Sequence, residues 1–176
     1  MPISQGRLPV GGFAPMVPEL DVLDLEASLS FWCGILGFRV AYDRPERGFA
    51  YLEWPVAAPG ETTPTRDDLG QPEPVASGYG AQVMLCRRNG HWETAAAERP
   101  FGRGINFQFH VASLSPLLNR LSDAGWKLFR PVEDNWYRAG DLETGCREFL
   151  VQDPDGYLLR FSENLGLRPL PDRRQE

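Results

Sequence analysis

The sequence predicts an α+β protein of two βαβββ modules that curve into a mixed-sheet cup. A strand–helix–three-strand order occurs twice, the second copy displaced by about 89 residues, the distance from Asp24 to Ser113. Repetition at a fixed interval marks a duplicated structural unit. Each copy has one helix to cover one face of four strands, so the other faces are left to curve around a shared hollow. We expect one domain over residues 1–176: a first module at 15–87 with a loop inserted at 55–80, and a second module at 104–164.

Residues Met16 to Leu23 alternate as a half-wet strand. Asp24 suits a helix N-cap, Leu25, Ser28, Leu29, Trp32 and Ile35 recur at helical spacing, and Gly37 suits a left-handed cap. Phe31 and Trp32 are expected to pack the helix onto the sheet. Strands follow at Phe38–Asp43 and Phe49–Trp54, joined by the turn-like Arg44 to Gly48, and a fourth at Ala81–Arg87. Between them, 55–80 is rich in Pro, Gly, Thr and Asp and reads as a long loop. A second irregular segment, Asn89 to Arg103, carries His91, Trp92 and Phe101.

The second pass opens with a strand at Gly104–Val111. Its helix begins near Ser113 and Pro116, carries an apolar stripe of Leu117, Leu118, Leu121 and Ala124, and ends at Gly125. Strands are expected at Trp126–Glu133, Cys146–Gln152 and Tyr157–Glu163, the last entered through the turn Asp153-Pro154-Asp155-Gly156. The tail from Leu165 reads as frayed.

The composition, 42% hydrophobic and 24% charged, is that of an ordinary globular protein. A net charge of −6 argues against phosphate-backbone binding, which needs clustered Lys and Arg, so no nucleic acid partner is expected. No stretch is long enough to cross a bilayer and the first residues do not read as a signal peptide, which places the chain in the cytoplasm, away from membranes. Three scattered cysteines, Cys33, Cys86 and Cys146, form no CxxC pair and read as buried reduced thiols.

Three segments resemble the glyoxalase/bleomycin resistance/dioxygenase, or vicinal oxygen chelate, superfamily. They are Val22-Leu23-Asp24-Leu25 with Ser28, Phe31-Trp32 and Leu36-Gly37-Phe38; Gly102 to Phe107; and Trp136-Tyr137-Arg138 with Gly145, Arg147, Phe149 and Asp153 to Leu158. The combination looks closest to the bleomycin resistance branch. That resemblance implies a dimer of the vicinal-oxygen-chelate type and a cleft that takes a small molecule. Metal-dependent relatives place His, His or Glu, and Glu at three strand positions, which here hold Val17, Asn106 and Arg160. Val cannot ligate, neutral Asn ligates weakly and a guanidinium opposes a cation, so no metal, cofactor or catalytic residue is expected.

Alternate strand residues share a face. Parity therefore turns Glu19 and Asp21 toward the cleft with Val17, and Asn106, Gln108 and His110 with Arg160. The resemblance adds Tyr42, where bleomycin binders often carry an aromatic for the drug's flat bithiazole. Trp136 and Tyr137, in a loop between later strands, are expected as further walls or rims. Some binders have a Trp close before the Arg-Glu-Phe matched by Arg147-Glu148-Phe149; Gly145 and Cys146 stand there. Bland readings stand beside each role. Glu19 and Asp21 fit a cationic ligand or a solvated strand face. Tyr42, Trp136 and Tyr137 fit stacking or core, His110 a ligand role or a simple hydrogen bond, and Arg160 a ligand contact or an ion pair with Glu19 or Glu148.

The leading expectation is non-catalytic sequestration of a bleomycin-type glycopeptide by a cytoplasmic homodimer. Its competitors are a metal-dependent lyase, dioxygenase or thiol transferase with displaced ligands such as Glu19, His110 and Glu148, and a binder of another metabolite.

Overall fold

A computed structural model describes residues 8–10, 12–54, 80–96 and 98–171. The expected 55–80 insertion lies, except for Gly80, outside the described residues. The described chain forms two four-stranded sheets. The first comprises β1 (Glu19–Val22), β2 (Arg39–Arg44), β3 (Phe49–Glu53) and β4 (Gln82–Arg87) in the order β1-β4-β3-β2. The second comprises β5 (Asn106–Val111), β6 (Leu128–Ala139), β7 (Leu142–Gln152) and β8 (Leu158–Pro169) in the order β5-β8-β7-β6. The opening strand of each pairs parallel with the last and the remaining pairs are antiparallel, so both sheets are mixed. The duplicated order read from the sequence is thus a duplicated topology.

The chain separates into two compact units whose boundary falls at Gly104, close to the limit between modules. The turn 153–157, although it joins β7 to β8, belongs to the first unit.

In the first unit β1 is shorter than the expected Met16–Leu23 strand, and it turns Leu20 and Val22 into the core. Asp24 caps helix α1 (Leu25–Leu29) by accepting from the N–H groups of Glu26 and Ala27 at 2.9 and 3.1 Å. The helix then widens into π-type turns over Ser30–Leu36 and ends on Gly37 at φ 92°. Phe31 and Trp32 are fully buried, and Trp32 meets Phe38 edge-on at 5.1 Å. The Trp32 indole N–H donates to Asp153 Oδ2 at 3.2 Å, which gives a buried donor its partner and pins the 153–157 turn to the core.

In the second unit helix α2 (Ser115–Asp123) carries Pro116 in its first turn and is followed by Gly125 at φ 64°. Leu114, Leu117 and Leu121 form its buried stripe. Ala124, expected on that stripe, is exposed, because the helix ends before another turn can carry it inward. Phe149 and Phe161 stack at 5.4 Å in the core.

Three strand limits differ from expectation for one reason. β6 runs to Ala139 and β7 begins at Leu142, so Trp136 and Tyr137 lie within a long hairpin and not in a loop. β8 continues to Pro169, so residues 165–169 are paired strand and not a frayed tail. The polar, Gly-containing stretches around 134–145 and 164–168 lack apolar alternation, and backbone ladder bonds to neighbouring strands hold them instead.

Candidate functional site

The open face of the first sheet is built in three cross-strand ranks. Register places Glu53 beside Gln82; then Tyr42, Tyr51, Met84 and Glu19; then Arg44, Phe49, Cys86 and Asp21. Residues two apart on a strand share a face, so these side chains line one surface. Guanidinium and phenol groups hold one edge, the floor is aromatic and sulfur-bearing, and two carboxylates hold the other edge.

The Glu53–Gln82 rank is closed by the chain's own N-terminal arm. The Val10 N–H donates to Glu53 Oε2 at 2.7 Å and the Ala14 N–H to Gln82 Oε1 at 2.8 Å. Gln82 Nε2 donates to the Gly12 carbonyl at 2.7 Å, and Phe13 meets the Tyr51 ring edge-on at 5.7 Å. Glu53 and Gln82 are therefore buried without being unsatisfied.

The other two ranks border two hollows, over a floor in which Phe49, Tyr51 and Cys86 are themselves buried. One hollow of about 630 Å³ is lined by Glu19, Tyr42, Arg44, Phe49 and Trp92, among others, and a second of about 490 Å³ by Val17, Glu19, Asp21, Met84, Trp92 and Tyr157. Both share Glu19, Met84 and Trp92. Tyr42 stacks on Tyr51 at 4.9 Å and 19°, and the Arg44 guanidinium lies 4.6 Å from the Phe49 ring centroid. Burial pushes the Asp21 carboxyl above its ordinary range, with Glu93 adding in the same direction and Arg88 opposing. Burial, with Glu19 and Asp21 nearby, also raises the Cys86 thiol. All three cysteines are free, but only Cys86 is buried as expected; Cys33 and Cys146 are half-buried.

The remaining predicted residues lie in the second unit. Gln108 pairs with Arg160 and His110 with Ser162, with 3.5 Å between Gln108 Nε2 and His110 Nε2. Asn106 is exposed opposite Leu158. Glu148 is the hub of this face. It accepts from Asn135 Nδ2 at 3.3 Å, Tyr137 Oη at 3.5 Å and Cys146 Sγ at 3.6 Å, and Arg160 Nη1 pairs with it at 3.6 Å. Of the two ion-pair partners considered for Arg160, Glu148 is the one found. Trp136 and Tyr137, adjacent on a strand, lie on opposite faces. Tyr137 reaches Glu148, whereas Trp136 lies across Gly145 with the Arg168 guanidinium 4.0 Å from its ring centroid.

Within the first unit, then, Glu19, Asp21 and Tyr42 come together on one surface. Parity applied to a single strand missed Phe49, Met84, Cys86 and Arg44, although pairing β2, β3 and β4 on paper would have found them. Trp92 carried no signal beyond being an aromatic in a polar segment.

Comparison with known proteins agrees with this architecture. The family model of the Glyoxalase/Bleomycin resistance protein/Dioxygenase superfamily matches residues 18–161, and the chain belongs to that superfamily. Among solved structures it is similar to a glyoxalase/bleomycin resistance protein/dioxygenase superfamily member from Vibrio splendidus 12B01, at 31% identity over 85% of this chain and 97% of that one, with a TM-score of 0.33. It is also similar to TioX from Micromonospora sp. ML1 (22% identity, 87% and 100% covered, TM-score 0.56) and to a protein of unknown function from Agrobacterium tumefaciens str. C58 (20%, 88% and 96%, 0.54). No curated protein matches significantly.

The metal used by some members of the superfamily does not fit the side chains at the corresponding positions. Val17 packs against the apolar cluster of Phe49 and Tyr51, Asn106 is a neutral amide, and Arg160 is a cation paired with Glu148. Among the described residues no group of three or more His, Cys, Asp or Glu side chains is placed to hold a metal ion. Nor is any described helix long and apolar enough to cross a membrane.

Proposed function

We propose that the chain captures a bleomycin-type glycopeptide antibiotic and holds it unchanged, as a cytoplasmic homodimer. One observation carries this reading: a single open sheet face sets a stacked tyrosine pair and an arginine-capped phenylalanine opposite a pair of carboxylates. A flat heteroaromatic system gains from lying on Tyr42, and a cationic group on the same molecule gains from Glu19 and Asp21, whose charge counts for more in a partly dry hollow than in bulk water. Side chains unsuited to a metal favour retention over turnover. The exposed apolar side chains Phe129, Val132, Tyr137 and Leu142 along the β6–β7 hairpin give a partner copy an apolar edge to cover.

Calorimetric titration with metal-free and copper-loaded bleomycin tests the reading. Saturable heat near one drug per chain, reduced in Tyr42→Ala, is expected. Absence of heat and of any melting-temperature shift at high drug concentration refutes it.

A further inference from the structure

We propose that the acidic end of the first unit's open face is a receptor for an N-methylated or quaternary ammonium group, held between the Glu19 and Asp21 carboxylates and the Trp92 and Tyr157 rings. The inference goes beyond the function proposed above by naming a chemical group that the acidic end of this face would accept. It rests on that reading only in placing a ligand on this face.

The lining of the 490 Å³ hollow is an unusual mixture: two carboxylates, two aromatic rings, the Met84 thioether and Val17. A primary ammonium has three N–H groups to satisfy, and here only the carboxylate side offers acceptors of full charge. An alkylated ammonium spreads its charge over methyl groups, which pack against rings, sulfur and aliphatic carbon while the carboxylates balance the charge.

Among the described residues no ion pair includes Glu19 or Asp21. Arg88, the cation acting on Asp21, is held by Glu93 at 2.5 Å. Asp21 Oδ1 is shielded from solvent and accepts no hydrogen bond among the described residues. Such an acceptor is costly unless something completes the site.

The two rings are anchored by independent means. Tyr157 donates its hydroxyl proton to the Asp21 carbonyl at 3.0 Å, and its ring packs so closely on Gly102 that a Cβ there would come within 2.6 Å. Trp92 sits on a loop bracketed by the Arg88–Glu93 pair. Within that loop Asn89 accepts from the His91 N–H at 2.9 Å and donates to Cys86 Sγ at 3.6 Å. The loop can thus hold an exposed indole over the acidic strand edge.

The test is titration of the full chain with choline and with tetramethylammonium, following the Trp92 indole N–H by NMR at fixed ionic strength. The neutral isostere 3,3-dimethylbutan-1-ol and ethanolamine serve as controls. Saturable shifts with both quaternary ions are expected, at least tenfold weaker with ethanolamine and non-saturating with the neutral alcohol. Glu19→Gln and Asp21→Asn should each weaken choline at least fivefold. Trp92→Leu, at a site too exposed to threaten folding, should do the same in a calorimetric readout, and Trp92→Phe should restore it to within threefold. Equal binding of choline and its neutral isostere, or choline affinity unchanged in the carboxylate variants, overturns the proposal. A shift that tracks ionic strength alone does so too. If bleomycin fails to bind while choline binds, only the drug reading falls; if the drug binds and choline does not, only the onium site falls.

Discussion

The Tyr51 ring lies flat against that of Tyr42 and is itself locked from behind. Phe13 meets it edge-on at 81°, and its hydroxyl donates to Gln82 Oε1 at 2.5 Å. With Tyr51 fixed beside it, Tyr42 has its stacking partner already in place and is offered as a preformed platform. Tyr42→Ala should therefore weaken bleomycin about three- to tenfold, the equivalent of the ~0.5–1.5 kcal/mol of an aromatic pair. Tyr42→Phe should stay within twofold. Equal losses in the two variants, measured by calorimetry, would show that the hydroxyl and not the ring is used.

Gln82 fastens the N-terminal arm by satisfying three groups at once: the Ala14 N–H, the Gly12 carbonyl and the Tyr51 hydroxyl. Gln82→Leu leaves all three without that partner in a covered position. Each lost bond of this kind costs about 1 kcal/mol and an orphaned group somewhat more, so a loss of about 2–4 kcal/mol in urea unfolding is expected. The arm should also loosen locally, with the Ala14 amide exchanging at least tenfold faster than in the parent protein. Unchanged exchange at Ala14 would mean that contacts other than Gln82 hold the arm.

Asp153 makes the fold pH-sensitive in a direction opposite to the usual carboxylate. Burial pushes its carboxyl up to about 6, although the N–H groups of Asp155 and Tyr157 and the Trp32 indole all donate to it. An acid whose folded-state pKa exceeds its unfolded value near 3.8 holds its proton better when folded. Its contribution to stability therefore grows as pH falls from about 7 toward 4 and levels off below. A displacement of that size corresponds to about 3 kcal/mol. Asp155, also raised by burial, adds in the same sense. The difference in unfolding free energy between the parent and Asp153→Asn should widen in favour of the parent by roughly that amount between pH 7 and pH 4. A difference independent of pH would place the ionised form in a better-solvated setting.

What the sequence made legible follows from which features are periodic. The duplication, the Asp24 cap, the Gly37 and Gly125 stops and the buried Trp32 are each announced by a local signal whose physics is local. Glu19 and Asp21 were placed on one face because strand alternation needs no partner to be read. The floor of that face was not legible from single strands, since Phe49, Met84 and Cys86 join it only through register. The role of Gln82 and Glu53 could not be read at all: a buried amide and a buried carboxylate become tolerable only once an arm 43 to 70 residues away in sequence supplies their partners. Trp136 and Tyr137 read as loop residues from sequence because the hairpin that carries them lacks apolar alternation.

That last pair offers a test that separates packing from recognition. Trp136 lies opposite Gly145, where an added Cβ would come within 2.7 Å of its six-membered ring, and Arg168, itself paired with Glu143 at 2.6 Å, covers the ring from above. The indole is thus packed by Gly145 of β7 and by Arg168 of β8, and Gly145 is small because the ring needs the room. Gly145→Ala must displace the ring or the strand, and overpacking of this kind costs about 1–3 kcal/mol. Trp136→Leu should lower stability similarly by removing the ring that Arg168 covers, while leaving drug affinity within twofold. A loss of stability without a loss of affinity in both variants would assign Trp136 to the architecture of the hairpin. A tenfold fall in affinity at unchanged stability would return it to the binding surface.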